Sequence, residues 1–236
     1  MRKLLLLLIL VNFACTPVYI PNSRSVPAFE RAGELSLDGY AGSSGFDINT
    51  GLSVSDHVAI IANASYGEIN EQESEDFHTH KFGEIGVGYF NNTGSKLQTE
   101  IYGGYGIGEA TSVDDYIFIS SNQVEATGSY NRAFIQSNVL FSPGEGIIQL
   151  GGAFRLTHVT FTEFETSATV YNDSRSATFA EPIFFFRVGD PIHFNLQTGF
   201  NVPLDGEVAF DYRLLHVSFG VGAKINLTKK DKASTN

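Results

Sequence analysis

Between Pro191 and Pro203 the chain places Ile192, Phe194, Leu196, Thr198, Phe200 and Val202 on one parity and His193, Asn195, Gln197, Gly199 and Asn201 on the other. Strict alternation over this length defines a β-strand with one apolar and one polar face. Segments of this kind recur from Gly33 to Leu227, and no apolar run at helical spacing survives beyond the first residues. Abundant aromatics and glycine, 20 Phe, 10 Tyr and 24 Gly, with only 17% charged residues, suit the same class. The predicted fold is all-β and, at 236 residues, a single domain.

Turn clusters separate about ten predicted strands, over 33–43, 45–55, 57–67, 78–90, 96–109, 123–141, 147–165, 178–188, 192–203 and 208–227. Eight is the alternative count. Connections after the second, fourth, sixth and eighth strands are tight, whereas 68–77, 110–122 and 166–177 are long and polar. Short turns on one rim and long loops on the other are the pattern of a membrane barrel. Exceptions on the long-loop rim are the short connections near Ser43 and Asp205-Gly206. An even strand count returns both termini to the short-turn rim.

A lipocalin-like barrel also alternates, so the content of the polar parity decides. It carries Gly, Ser, Asn, Thr and Gln, in place of the dense Lys and Glu of a water-facing strand. Small residues suit a crowded lumen. The charges in mid-strand, Glu84, Glu100, Arg132, Arg155 and Lys224, all share this parity, which predicts an interior charge network and an apolar exterior facing lipid. His193, His216, Asn138 and Gln197 are expected in the same lumen. Tyr66, Tyr89, Phe90 and Phe141 lie near strand ends, where interfacial aromatic girdles form. Pro182 predicts a bulged or poorly paired eighth strand and leaves the faces of Phe184, Phe185, Phe186 and Arg187 open.

The first residues have a different logic. Arg2 and Lys3 precede the short apolar core Leu4 to Val11, and Asn12, Phe13 and Ala14 lead to Cys15, the single cysteine. An apolar run of about 8 residues is too short to span a bilayer and fits a cleaved leader over 1–14. The placement of Cys15 resembles a bacterial lipobox, differing at Asn12 where that pattern prefers Leu, and the resemblance implies an acylated Cys15 as the mature N-terminus. Residues 15–32, with Pro17, Pro21 and Pro27 and no period, read as an extended acylated tether. The barrel is assigned to 33–227 and a polar tail to 228–236.

The chain ends its last strand with Gly220-Val221-Gly222-Ala223-Lys224-Ile225-Asn226-Leu227. Gly222, Ile225 and Leu227 resemble the C-terminal signal by which outer-membrane barrels reach their assembly machinery, without its terminal aromatic. With the hairpin rhythm of 33–227, the chain is similar to small outer-membrane β-barrel proteins of the OmpA/OmpX-like superfamily. That resemblance implies the bacterial outer membrane with both termini periplasmic. No acidic residue follows Cys15 in Thr16-Pro17-Val18-Tyr19, which fits a periplasmic N-terminus.

A net charge of −11 argues against nucleic acid as partner. The expected role is a non-enzymatic structural or interaction component, as an accessory subunit of an outer-membrane complex, with no catalytic residue, metal or cofactor. Expected partners are outer-membrane lipid, the barrel-assembly machinery and other outer-membrane proteins. A narrow channel for small solutes and a soluble acylated β-barrel ligand binder stay open as alternatives. Asp76, His78 and His80 with nearby glutamates offer cation ligands, but no known spacing. Asp114-Asp115 with His158 or His80 resembles the carboxylate–histidine arrangement of outer-membrane proteases. Gly103-Gly104, Gly106 and Gly108 fail as a phosphate loop, because no helix follows them.

Overall fold

The computed structural model describes residues 17–70, 77–92, 96–114, 124–143, 147–167, 169–171, 174–206 and 208–228. Its strands are β1 (Glu34–Gly42), β2 (Gly45–Ser53), β3 (Val58–Asn70), β4 (Phe77–Asn92), β5 (Leu97–Asp114), β6 (Val124–Phe141), β7 (Ile148–Thr166), β8 (Thr169–Tyr171), β9 (Arg175–Val188), β10 (Ile192–Phe200), β11 (Val202–Pro203) and β12 (Leu215–Asn226). Neighbours pair antiparallel from β1 through β7, then β7 pairs β9, β9 pairs β10, β10 pairs β12, and β12 returns to β1. The wall is therefore a closed barrel of ten strands, with β8 and β11 as short additions on β7 and β9. Closure leaves the ten wall strands no open edge, and only the short β8 and β11 keep one unpaired side among the described residues.

Side-chain parity divides inside from outside as expected from the alternation. Ile85, Val87 and Tyr89 of β4, Ile101 and Ile107 of β5, and Phe194 of β10 stand exposed on the exterior, while Glu84, Arg132, Arg155, Gln197 and His193 are buried within. This is the reverse of a lipocalin-like arrangement. The apolar exterior is a belt. On β5 it runs from Leu97 to Ile107, which is about 25 Å of height for a strand tilted by about 40°. Beyond it, towards the long-loop rim, outward positions turn polar: Lys81, Glu109, Ser129, Asn131, His158 and Thr160. The long strands β4–β7 thus rise past the belt as a polar wall.

Three local features depart from simple alternation. Ser129 and Tyr130 mark a register shift against β7, so Thr162 and Glu163 both face out while Phe161 and Phe164, three apart in sequence, both face in. Pro182 does not weaken β9 as expected. The strand pairs β7 along its full length, and its other ladder breaks only between the β10 and β11 pairings, beside the residue that has no N–H to give. Glu181, Phe185 and Arg187 then face inward, and Phe184 outward. The last strand begins at Leu215 and not at 208, because Phe210 turns into the lumen and Tyr212 bridges Tyr19.

Tyr66, Tyr89 and Phe141 are exposed near strand ends, but Phe90 is fully buried, since its parity opposite to Tyr89 directs it into the lumen.

The segment read as a tether is extended, and its residues 17–29 lie inside the barrel. Val18 and Tyr19 sit near the long-loop rim beside Phe164 and Phe179, whereas Phe29 packs among Ala59, Phe90 and Tyr102 near the short-turn rim. Gly33 then joins the short-turn rim through bonds with Ser53 and Leu227. This pass precedes the ten strands. The expectation of both ends on one rim is therefore corrected for the described residues: Pro17 lies at the long-loop end and Thr228 at the short-turn end.

Gly222 faces the lumen, where an added Cβ would lie 2.1 Å from Asp38 Oδ1 and 2.5 Å from His193 Nε2. Gly39 faces outward, with nothing nearer than 4.0 Å. Gly222→Val is expected to lower the yield of heat-modifiable, folded barrel strongly, and Gly39→Val to leave it unchanged, as read by gel mobility of unheated samples. Equal yields would contradict this packing.

Candidate functional site

An extended segment without a sheet partner must still satisfy its backbone N–H and C=O groups. Here luminal side chains take the place of a neighbouring strand. Ser23 N donates to Asp47 Oδ2 (2.7 Å), and Arg24 N donates to Gln197 Oε1 while Gln197 Nε2 donates to Arg24 O, both at 2.8 Å. The Gln197 amide thus imitates a peptide unit. Ser25 O accepts from Gln136 Nε2 (2.7 Å) and Asn138 Nδ2 (3.2 Å), and Val26 O accepts from Arg187 Nη2 (2.9 Å). Lys224 Nζ donates to Ala28 O, and Phe29 N donates to Glu100 Oε1 at 3.2 Å. At the upper end Tyr19 N donates to Asp211 O and Tyr19 O accepts from Arg213 N. These partners come from most of the wall, so the segment ties distant strands together.

Of the five charges assigned to one interior network, three meet. Glu84 accepts from Arg132 Nη2 at 2.5 Å and from Arg155 Nη1 at 3.0 Å, with both pairs fully buried. Glu100 makes no ion pair with an arginine among the described residues; it holds Asn138 Nδ2 (2.8 Å) and the Phe29 N–H. Lys224 stands 4.0 Å from Glu30 and on the Ala28 carbonyl, nearer the short-turn rim. Two further centres lay outside the sequence reading. Glu181 accepts from Arg24 Nη2 (2.5 Å), Thr157 Oγ1 (2.8 Å) and the Tyr19 hydroxyl (3.2 Å). Asp38 faces His193 (2.7 Å), Asn195 (2.7 Å) and Arg187 (3.7 Å). Arg132 also donates to Asn22 Oδ1 (2.7 Å), linking the Glu84 and Glu181 centres across the segment.

The arginines are stacked as well as paired. Arg132 lies 3.9 Å over the Phe82 ring and Arg155 4.1 Å over the Phe134 ring. Those rings rest on a glycine stripe of β5: an added Cβ would meet Phe134 at 2.5 Å from Gly104, Phe82 at 2.6 Å from Gly106 and Tyr130 at 2.6 Å from Gly108. This close approach explains the glycine run that resembled a phosphate loop. The lumen is consequently layered, with an aromatic cap around Tyr19, Phe161, Phe179 and Phe210, a polar waist, and an apolar floor around Val26, Phe29, Phe90 and Phe185.

The remaining candidates are not assembled into a reactive site. His158 is exposed on the exterior, bonded to Thr178 Oγ1 at 3.1 Å, whereas His80 is buried in the lumen against His78 (2.9 Å) and Ser65 (3.1 Å). Through Ala133 and Tyr105, the ladder sets His158 nine residues below the Asp114 level, about 30 Å along the strand. Asp76, Asp115 and Cys15 lie outside the described residues. Among the described residues no three His, Cys, Asp or Glu side chains gather as a metal site. Gly222 is luminal, and Ile225 and Leu227 are exposed beside the short-turn rim.

No protein-family model matches the chain, and no curated protein sequence matches it. Among solved structures, CdiB from Acinetobacter baumannii is similar over 81% of this chain, with 8% identity and a TM-score of 0.22. The chain spans 59% of the length of that protein. A likeness of this degree carries no functional argument.

Removing one partner of a buried ion pair costs about 3–5 kcal/mol, because the other charge is left uncompensated. Glu84→Gln strands two buried arginines and is expected to lower unfolding free energy by about that amount. Glu100→Gln keeps an acceptor for two neutral donors and is expected to cost about 1 kcal/mol. Urea unfolding in micelles distinguishes them, and equal losses would contradict the assigned partners.

Proposed function

We propose that this protein is an acylated, non-enzymatic β-barrel of the bacterial outer membrane, closed by its own N-terminal segment and acting as a structural or interaction component. The observation that carries this reading is the pairing of an apolar exterior belt with a lumen filled by polypeptide. Exposed Phe, Ile and Val encircling a barrel are unfavourable in water and are what hydrocarbon requires. A lumen occupied from rim to rim supports neither solute passage nor a ligand cavity, which counts against the channel and ligand-binder alternatives. What is left to the protein is surface. The polar wall of β4–β7 above the belt, and the belt itself, are the faces offered to other outer-membrane proteins, in keeping with an accessory-subunit role. The barrel-assembly machinery and lipid are the partners of its insertion.

Two measurements check the reading. Val87→Lys places a charge on the belt and is expected to cost about 2–4 kcal/mol on folding into vesicles, whereas Thr160→Lys, on the polar wall, is expected to cost almost nothing. Equal tolerance, with folding in plain buffer, would defeat the membrane assignment. The full chain in planar bilayers is expected to be electrically silent, and a gentle-detergent pull-down is expected to return a stoichiometric envelope partner. Steady single-channel conductance, or a barrel recovered alone, would overturn the closed-component role.

A further inference from the structure

The direction of the luminal segment fixes where the chain upstream of it leaves the barrel. We propose that residues before Pro17 emerge at the long-loop rim, so that the protein threads its own N-terminus through its lumen and presents it on the face opposite its C-terminus. The inference rests on the outer-membrane reading only for which face is which; that Pro17 and Thr228 lie on opposite sides follows from the lumen alone.

Three observations carry it. The hydrophobic layers order the segment, with Val18 and Tyr19 in the cap formed by the loop-proximal ends of β5, β7 and β9, and Phe29 in the floor formed by the turn-proximal ends of β3, β4 and β5. Tyr19 pairs parallel with Tyr212, in the connection between β11 and β12 on the long-loop rim. Finally, the waist is packed around one strand. Ser23–Asp47, Arg24–Glu181 and Asn22–Arg132 are direct contacts across it, which leave no lane for a return pass towards the short-turn rim. Since long loops of such barrels face the cell exterior, an acyl group on Cys15, implied by the lipobox resemblance, would enter the outer leaflet. The barrel then acts as the conduit that displays a lipid-anchored N-terminus at the surface.

Added-cysteine reporters test this in intact cells with a membrane-impermeant maleimide, each normalised to its labelling in detergent, the unmodified chain giving the Cys15 background. Gly206→Cys marks the long-loop rim, since nothing lies within 4 Å of its added Cβ, and Thr228→Cys marks the short-turn rim. Thr16→Cys is expected to label like Gly206→Cys, in intact cells, while Thr228→Cys labels only after permeabilisation. Thr16→Cys behaving like Thr228→Cys would overturn the proposal. If Gly206→Cys and Thr16→Cys both need permeabilisation while Thr228→Cys does not, the threading stands and the outward orientation of the long loops fails. Where Thr16→Cys stays unreactive in detergent, a Gly-Ser-Cys-Gly-Ser insertion after Thr16 replaces it, with the same two outcomes.

Discussion

The structure depends on a substitution of side chains for a sheet partner. A lone extended segment inside a barrel has backbone groups that water cannot reach, and each one left unpaired costs about 1–3 kcal/mol. Asp47, Gln197, Gln136, Asn138, Arg187, Lys224 and Glu100 supply those partners from strands spread around the wall. The polar lumen is therefore more than a set of ion pairs that neutralise one another. It is a socket shaped for one polypeptide, and the segment in turn cross-links strands that share no ladder.

Hydropathy along the segment matches the lumen layer by layer. Val18-Tyr19 meets the aromatic cap, Asn22-Ser23-Arg24-Ser25 meets the waist, and Val26-Pro27-Ala28-Phe29 meets the floor. Twelve extended residues cover about 40 Å, more than the height of the apolar belt. Ala28 adopts a left-handed φ of 57°, uncommon for alanine, at the point where its carbonyl turns to Lys224 and Phe29 turns to Phe90. The charges obey the same economy of space: Arg132 and Arg155 pack over the Phe82 and Phe134 rings, and those rings approach glycine closely.

The wall was legible in the sequence because a two-residue period, punctuated by Gly, Pro and Asn, is a direct consequence of an apolar face turned outward and a polar face turned to a crowded interior. The hairpin rhythm and the inward placement of Glu84, Glu100, Arg132, Arg155 and Lys224 come from that pattern, whereas ten strands over eight is decided by the closed ladder. The luminal segment was not legible as a structural element, since a chain buried on every side has no face and no period, and its three prolines deny it a ladder. Its signal was the apolar–polar–apolar order over 18–29, together with a surplus of Asn and Gln on the luminal parity that no ion pair needs. Glu181 and Arg187 were obscured by Pro182, and the inward Phe161 and Phe164 by the bulge that separates them. Phe210 read as strand because Val208 and Phe210 alternate, although both pack into the cap.

The central claim, that residues 17–29 occupy the lumen, is tested most directly by a covalent bond between segment and wall. Ser23 Oγ and Ser218 Oγ are 2.9 Å apart and fully buried, a separation that a disulfide can span. In a Cys15→Ser background, Ser23→Cys with Ser218→Cys is expected to form a quantitative intramolecular disulfide on oxidation of the folded barrel, visible as a mobility shift reversed by reductant. Two free thiols that react fully with maleimide in the folded protein would place the segment outside the barrel and contradict the account.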